Sequence, residues 1–360
     1  VAPLGGASPA RTVPHSERSS IEIGAQADPH RWDDFVNRAP AASLYHLHGW
    51  RRVIEDTFGH PTFYLSASDG SRVVGALPLA QLKSWAFGNM LVSLPFFNYG
   101  GICAEDDAVR RKLLDAAVAL ARERQADFLE IRHEDDWNQE LPKKTSKVSM
   151  RLELPSSADE LWKALGSKLR NQVQKPRKEG MTAAIGGEET LDHFYDVFSA
   201  NMRDLGTPVY SKAFFLNILR EFPDRTRIAT VYMGRTPVAS GFLAGFRDRL
   251  EIPWASSLKA YNRLSPNMLL YWSCLEFACR NEYRVFDFGR STVGEGTYRF
   301  KEQWGARPHQ LYWYYWMPDG GEIPQVNPAN PKYRTAIAVW QRLPLGLTRR
   351  LGPRIVRYIP

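Results

Sequence analysis

Apolar and polar positions along this chain fall into helix-like and strand-like stretches that run twice in one order. Residues 29–39 follow Asp28, a side chain suited to an N-cap, and place Pro29 at the first helical position. Residues 48–58 predict a second short helix, stopped by Gly59 and Pro61. Residues 62–67 and 72–82 are strand-like and flank Ser68-Asp69-Gly70, a hairpin turn signal. A helix is predicted over 106–125, rich in Ala and Leu, with acids at its start and Arg122 and Arg124 at its end. Residues 128–132 form the next strand. In the second half, helices over 157–166 and 188–205 precede strands over 226–233 and 238–246, joined across Gly234-Arg235-Thr236-Pro237. A third strand covers 249–258. Ser265 and Pro266 then open a helix to about Arg280, and a strand covers 284–288. The duplication is read from this matching order, since no sequence repeat is visible.

A length of 360 residues is long for one core and points to two domains. With 44% hydrophobic and 24% charged residues, the composition is that of an ordinary globular protein. The net charge of +8 is concentrated at one end: Lys332, Arg334, Arg342, Arg349, Arg350, Arg354 and Arg357 follow Glu322 with no acid among them. Cys103, Cys274 and Cys279 are too few and too irregularly spaced for a disulfide framework or a zinc site. An odd count without a leader points to a reducing, cytoplasmic setting. Residues 1–20, rich in Pro, Ser and Gly and lacking an apolar core, read as a disordered head. Residues 84–104 carry no charge and are long enough to span a bilayer. Their Gly88, Asn89, Pro95, Asn98, Gly100 and Gly101 favour strand, turn and strand instead.

The stretch around which the rest is organised is 285–306, VFDFGRSTVGEGTYRFKEQWGA. It opens as a strand with one acid, Asp287, breaks at Gly289, passes a loop with Gly294 and Gly296, and closes on Tyr298-Arg299-Phe300-Lys301. A strand that ends in glycines and then offers Arg290, Tyr298, Arg299 and Lys301 gathers donors at one strand end, where α/β sheets usually bind ligands. By spacing alone it reads also as a Gly-rich turn beside solvated cations.

This stretch resembles the C-terminal signature of the FemAB-like transferases, in which Phe-Lys follows a Gly-rich loop. It is most similar to the branch associated with exopolysaccharide and PEP-CTERM/exosortase gene clusters. The similarity continues through Ala255-Ser256-Ser257, Asn267-x-Leu-Leu-x-Trp272 and Phe96-Phe97-Asn98-Tyr99-Gly100-Gly101, and covers roughly residues 30 to 345. The fold it implies is α/β (α+β), with two tandem acetyltransferase-like (GNAT-type) domains, each a mixed twisted sheet flanked by helices. The expected division is a head at 1–20, domains at 21–150 and 151–325, and a basic amphipathic tail at 326–360.

Acyl transfer to an amine passes through a tetrahedral intermediate whose oxygen becomes negative, and a fixed cation there lowers the barrier. The resemblance gives Lys301 that role; the bland alternative is a surface lysine. Asp287 either orients Arg290 or Lys301 or satisfies the strand end. A second basic run covers 163–178. On a helix Lys168 and Lys175 share one face and Arg170 and Arg177 a neighbouring one, with Pro176 expected to break or kink it. Such a surface suits phosphates of a nucleotide-linked substrate or of RNA, or is a solvated helix face. By resemblance, the turn containing Arg203, Tyr210 and Lys212 helps hold the acceptor. Asn98 and Tyr99, beside Gly100 and Gly101, either approach a ligand or form a loop corner needing positive φ.

His46, His48 and His60 lie too far from other ligands to argue a metal, His133 is expected in an exposed loop, and no motif supports a covalent nucleophile. Residues 260–267, AYNRLSPN, lack the glycines of a usual CoA pyrophosphate grip. The best-known FemAB members use aminoacyl-tRNA, but the long heptad-patterned arm of FemA and FemB is missing. The donor is therefore either aminoacyl-tRNA or acyl-CoA. The tail, acid-free with Trp340 among arginines, suits an anionic membrane surface or docks on its own domain. Two functions follow: a cytoplasmic transferase, peripheral at the inner membrane face, acting on a small-molecule or lipid-linked amine of an envelope or polysaccharide precursor; or a non-catalytic scaffold of a polysaccharide assembly system.

Overall fold

The chain builds two mixed sheets in the computed structural model, which describes residues 21–25, 28–85, 87–138, 140–318, 320–323 and 331–359. The head expected at 1–20 and residues 326–330 of the tail lie outside the described residues. The first half contains β1 (Glu22–Gly24), α1 (Pro29–Arg38), α2 (Trp50–Phe58), β2 (Thr62–Asp69), β3 (Arg72–Ser84), β4 (Gly88–Ser93), β5 (Cys103–Ala104), α3 (Asp107–Glu123), β6 (Phe128–His133) and β7 (Lys143–Lys144). Then come β8 (Val148–Glu153), α4 (Ala158–Ala164), α5 (Ser167–Lys178), β9 (Met181–Gly186), α6 (Leu191–Leu205), α7 (Lys212–Glu221), β10 (Thr226–Met233), β11 (Thr236–Phe246) and β12 (Arg249–Ser257). The chain closes with α8 (Pro266–Arg280), β13 (Val285–Ser291), α9 (Gly296–Glu302), β14 (Arg307–Gln310), β15 (Tyr312–Trp316), α10 (Pro331–Arg342) and α11 (Leu345–Val356).

Local chemistry sets many of these ends. Asp28 accepts a hydrogen bond from the Arg31 N–H at 3.0 Å and Asp106 from that of Val109 at 2.9 Å, capping α1 and α3. Gly59 ends α2 in the left-handed region at φ +66°. The basic run lies on two helices, α4 and α5, parted at Leu165-Gly166, where the helix expected over 157–166 ends. Pro176 does not end α5, which continues to Lys178: it forgoes one main-chain hydrogen bond to the i−4 carbonyl, and its ring is buried.

The first sheet has the order β1-β2-β3-β4-β6-β15-β7, with β5 beside β3; the second has the order β14-β8-β13-β12-β11-β10-β9. Each sheet contains one parallel pair, β4 with β6 and β12 with β13, registered over only three residues before the strands part. Residue 150 lies inside β8, which belongs wholly to the second sheet, whereas β15 returns to the first between β6 and β7. Among the described strands, β1 to β7 and β15 thus form the first sheet and β8 to β14 the second.

Helix α3 buries Leu113, Ala117 and Ala121 on one face of the first sheet, and α4, α5 and α8 cover the second. A third, aromatic core joins the halves, with Trp32, Trp50 and Phe97 on one side and Phe194, Phe214, Phe215 and Phe242 on the other. Each fully buried side chain of Phe size contributes about 1.5–3 kcal/mol.

Two further expectations are settled here. Residues 84–104 include β4 and no helix, and among the described residues no helix is long and apolar enough to cross a membrane. His133 is buried at the end of β6, its ring against Tyr314 and Trp137, because β15 returns beside β6 and covers it. The described tail docks on its own chain. Arg349 donates to Asp196 and Ser199 of α6 at 2.7 and 2.9 Å, His60 shares a 2.6 Å hydrogen bond with the Arg357 carbonyl, and Gly352 packs directly on the Val209 backbone.

Candidate functional site

The site begins where β12 and β13 stop pairing. Their parallel register runs Arg249 with Val285, Leu250 with Phe286 and Glu251 with Asp287. Beyond this, β13 shifts register between Asp287 and Arg290, and Gly289 takes φ +74°, a conformation that favours glycine. The strands separate around a cavity of about 390 Å³. Pro253 and Trp254 line it from β12, Gly289 and Arg290 from β13, and Phe97, Asn98 and Tyr210 from the surrounding halves. An adjoining chamber of about 270 Å³ shares Ala255, Tyr271, Thr297 and Lys301 with the first and extends past Ser256 and Ser257 to Asn267 in the first turn of α8. Among the described residues, no aspartate, glutamate or histidine lines either chamber.

Lys301 stands at the junction. It is carried on the short helix α9 and is only 7% exposed. Its Nζ donates to the main-chain carbonyls of Gly289 and Arg290, both at 2.9 Å. An ammonium has three N–H donors, so one is left for a ligand. Burial lowers its pKa to about 8, against the opposing pull of the Asp287 and Glu251 charges.

Asp287 fixes the loop that supplies those carbonyls. Wholly buried, it accepts hydrogen bonds from Ser149 Oγ at 2.5 Å, the Gly289 N–H at 2.8 Å, Tyr99 at 2.9 Å and Arg151 Nε at 3.1 Å. Burial alone would raise its pKa, but the Arg151 charge and the Ser149 hydrogen bond outweigh this and hold it below the usual carboxylate value. Glu251 faces it across the parallel register. Tyr45 and Tyr99 both reach Glu251 Oε2, at 2.6 and 2.9 Å. Burial and the Asp287 charge raise Glu251 to about 7. The single Tyr99 proton cannot serve both carboxylates, so a protonated Glu251 completes the cluster.

Of the residues singled out from the sequence, Lys301, Arg290, Tyr210 and Asn98 line the larger chamber, and Asp287 lies directly beneath it. Tyr99 is buried in the carboxylate cluster and lines neither Lys301 chamber. Tyr298 packs half-buried against the second core and Arg299 is exposed. Arg203 pairs with Asp204 at 2.7 Å and Lys212 with Asp192 at 2.8 Å. On α5, Lys168 and Arg177 are exposed, Arg170 is half-buried and Lys175 donates to the Arg263 carbonyl. All four lie outside both chambers. Glu251, Ser149, Arg151, Trp254 and Trp313 were not anticipated. Among the described residues no group of three or more His, Cys, Asp or Glu is placed to hold a metal ion.

Residues 167–302, which hold both chambers' second-sheet walls and Lys301, match the family model of the acetyltransferase (GNAT) domain. No curated protein matches the chain. Among solved structures it is similar to FemX, with a TM-score of 0.66 at 14% identity over 81% of this chain and 97% of that one. The fold is a FemX-like tandem of acetyltransferase-like domains. It is also similar to the C-terminal domain of a putative lysylphosphatidylglycerol synthetase from Agrobacterium fabrum, with a TM-score of 0.54 at 12% identity over 87% and 94% of the two chains. L-PGS from Bacillus licheniformis gives 0.53 at 15% identity over 89% and 98%. At these identities the similarity concerns the fold.

Proposed function

We propose that the protein is an N-acyl or aminoacyl transferase that moves an activated acyl group to an amine of an envelope, polysaccharide or lipid-linked precursor. The observation that carries this reading is Lys301, a buried ammonium held by two main-chain carbonyls where two chambers meet. Donor and acceptor enter by separate chambers, and their reacting atoms meet beside Nζ. The donor takes the chamber ending at Asn267, whose main-chain N–H, in the first turn of α8, is uncommitted among the described residues, Pro266 having none and that of Met268 donating to the Ser265 carbonyl at 3.0 Å. Its activated group arrives either on tRNA or on CoA.

The nitrogen lone pair of a neutral acceptor amine attacks the donor carbonyl carbon, and the carbonyl electrons move to oxygen. The remaining Lys301 N–H stabilises that oxyanion. Collapse re-forms the carbonyl, breaks the bond to the ester oxygen or thioester sulfur, and yields the amide. With no carboxylate or imidazole among the described residues that line the chambers, the proton leaving nitrogen goes to the departing oxygen or sulfur, directly or through solvent. Asp287 acts as a positioning residue through Gly289. The lysylphosphatidylglycerol synthetase neighbour supports a lipid acceptor by its name. The outer face of the docked tail leaves Arg350, Arg354 and Leu347 exposed, suiting a peripheral place beside an anionic surface.

Lys301→Met tests the proposal. Turnover with charged tRNA or acyl-CoA as donor is expected to fall about 10²–10³-fold, the effect of losing one oxyanion donor, with the unfolding midpoint retained. Unchanged turnover in a folded variant would reject Lys301 as the oxyanion group. Ribonuclease treatment of an active extract distinguishes the donors.

A further inference from the structure

The larger chamber holds a cation without a counter-charge. Arg290 opens into it and, among the described residues, has no carboxylate partner and no side-chain hydrogen bond. Its one described side-chain contact is with the ring of Trp313, whose centroid lies 5.2 Å from the guanidinium carbon. Arg132 lies over the same ring at 4.2 Å, but that guanidinium is committed to Glu130 and to the Phe97 carbonyl. Trp313 is itself fixed by a 3.0 Å hydrogen bond to the Asn98 carbonyl. Arg290 therefore stands in a prepared position beside a second positive charge. Arg290 is exposed to solvent through the chamber, and the partial burial of its guanidinium together with the Arg132 charge pushes its pKa below the ordinary arginine value.

An unpaired guanidinium so placed gains most from an incoming anion, by a charge-assisted, bidentate contact. The remaining walls are mainly apolar and aromatic, including Phe97, Trp254 and Phe288, and they suit the apolar or planar part of a ligand. We infer that Arg290 anchors a carboxylate or phosphate on the substrate entering the larger chamber, and that this end of the site excludes a cationic group. This rests on the transfer reading, which makes the chamber a substrate site, and deepens it by naming the substrate class. A lysyl side chain, for instance, would bring a third positive charge beside Arg290 and Arg132 and meet no carboxylate.

The experiment uses the full-length chain and its intrinsic tryptophan fluorescence, since Trp254 lines the chamber and Trp313 contacts Arg290. The probes are hippurate, phenyl phosphate and neutral hippuramide. Hippurate or phenyl phosphate is expected to bind about tenfold or more tightly than hippuramide, and the tighter anion identifies the group. Arg290→Met should bring all three within about twofold of one another, the charge-assisted contact being gone. Lys301→Met should keep the discrimination. Equal binding of anion and amide by the wild type, no saturation by either anion, or discrimination that survives Arg290→Met would overturn the inference. So would discrimination lost with Lys301 and kept without Arg290. The readout needs no turnover, so failure of the transfer reading is seen separately, in the Lys301→Met assay.

Discussion

The two parallel strand pairs share a plan and have opposite contents. In the first sheet, β4 and β6 pair up to Val92 with Glu130 and then part. Their wedge is filled by its own residues: the Arg132 N–H donates to Ser93 Oγ at 2.9 Å, and the Arg132 side chain reaches back to Glu130 at 2.6 Å and to the Phe97 carbonyl. Tyr315 from β15 donates to the same glutamate at 2.5 Å. In the second sheet, β12 and β13 pair up to Glu251 with Asp287 and then part around Lys301. Glu130 and Arg132 are two residues apart on one strand, the spacing that puts side chains on one face. Asp287 and Arg290 are three apart across the bulge at Gly289, and the acid is saturated by Arg151, Tyr99, Ser149 and a main-chain N–H. One extra residue on a bulged strand thus accompanies the change from a closed ion pair to an open cleft with a free guanidinium.

The largest expected effect breaks the closed wedge. Arg132→Met leaves Glu130 buried without its cation, and removing one partner of a buried pair costs about 3–5 kcal/mol. Arg290→Met takes an unpaired cation from an open chamber and should stay within about 0.5 kcal/mol of wild type. Urea unfolding of the two variants side by side checks this. Similar losses in both would mean that Arg290 has a structural partner, and the contrast between the wedges would fail.

A smaller effect tests the bulge. Gly289→Ala places a Cβ at φ +74°, 3.5 Å from the Ile252 carbonyl oxygen. The space is sufficient, so the cost is conformational, about 1–2 kcal/mol for a left-handed L-residue. Because the Gly289 carbonyl holds Lys301, turnover should fall by more than the unfolding midpoint implies. A proportionate fall in both would detach the bulge from catalysis.

How much of this was legible in the sequence follows from how far apart the contacting residues lie. The stretch from Asp287 to Lys301 is local, so strand, Gly-rich break and cation could be read as a unit, and the chamber includes Gly289, Arg290 and Lys301. Asp287, however, is held by Ser149, 138 residues away, and Tyr45 reaches Glu251 across 206. Periodicity shows which face of an element is apolar and says nothing of which distant polar group completes a buried carboxylate. Trp313 escaped notice for the same reason. It lies in the aromatic run Tyr312–Trp316, and only the return of β15 to the first sheet puts it beside Arg290. Much of the element order was legible because helix and strand periods are local, although β8, β9, α7, β14 and β15 were not read. The return of β15 to the first sheet was not legible, since nothing in a strand's own residues names its neighbour.

A pH-dependent effect concerns the last paired residue of each wedge, Val92 opposite Glu130 in the first and Glu251 opposite Asp287 in the second. Placing two carboxylates together, with burial, raises Glu251 from 4.5 to about 7. The native state therefore keeps a proton that the unfolded chain releases. Its contribution is full below the ordinary glutamate value and is lost as pH rises from about 4.5 through about 7, with a slope of at most about 1.4 kcal/mol per pH unit. Asp287 shifts the other way, below 3.8, so its own contribution is lost only in more acidic solution and does not blur this window. Glu251→Gln preserves an oxygen acceptor for Tyr45 and Tyr99 and cannot ionise. Urea midpoints measured from pH 5 to pH 8 should decline for the wild type relative to the variant, leaving the variant the more stable at the upper end. Parallel curves would show that Glu251 is already ionised in the folded protein. Tyr99 would then have to serve two anions with one proton, so the cluster that positions Gly289 would need a different donor.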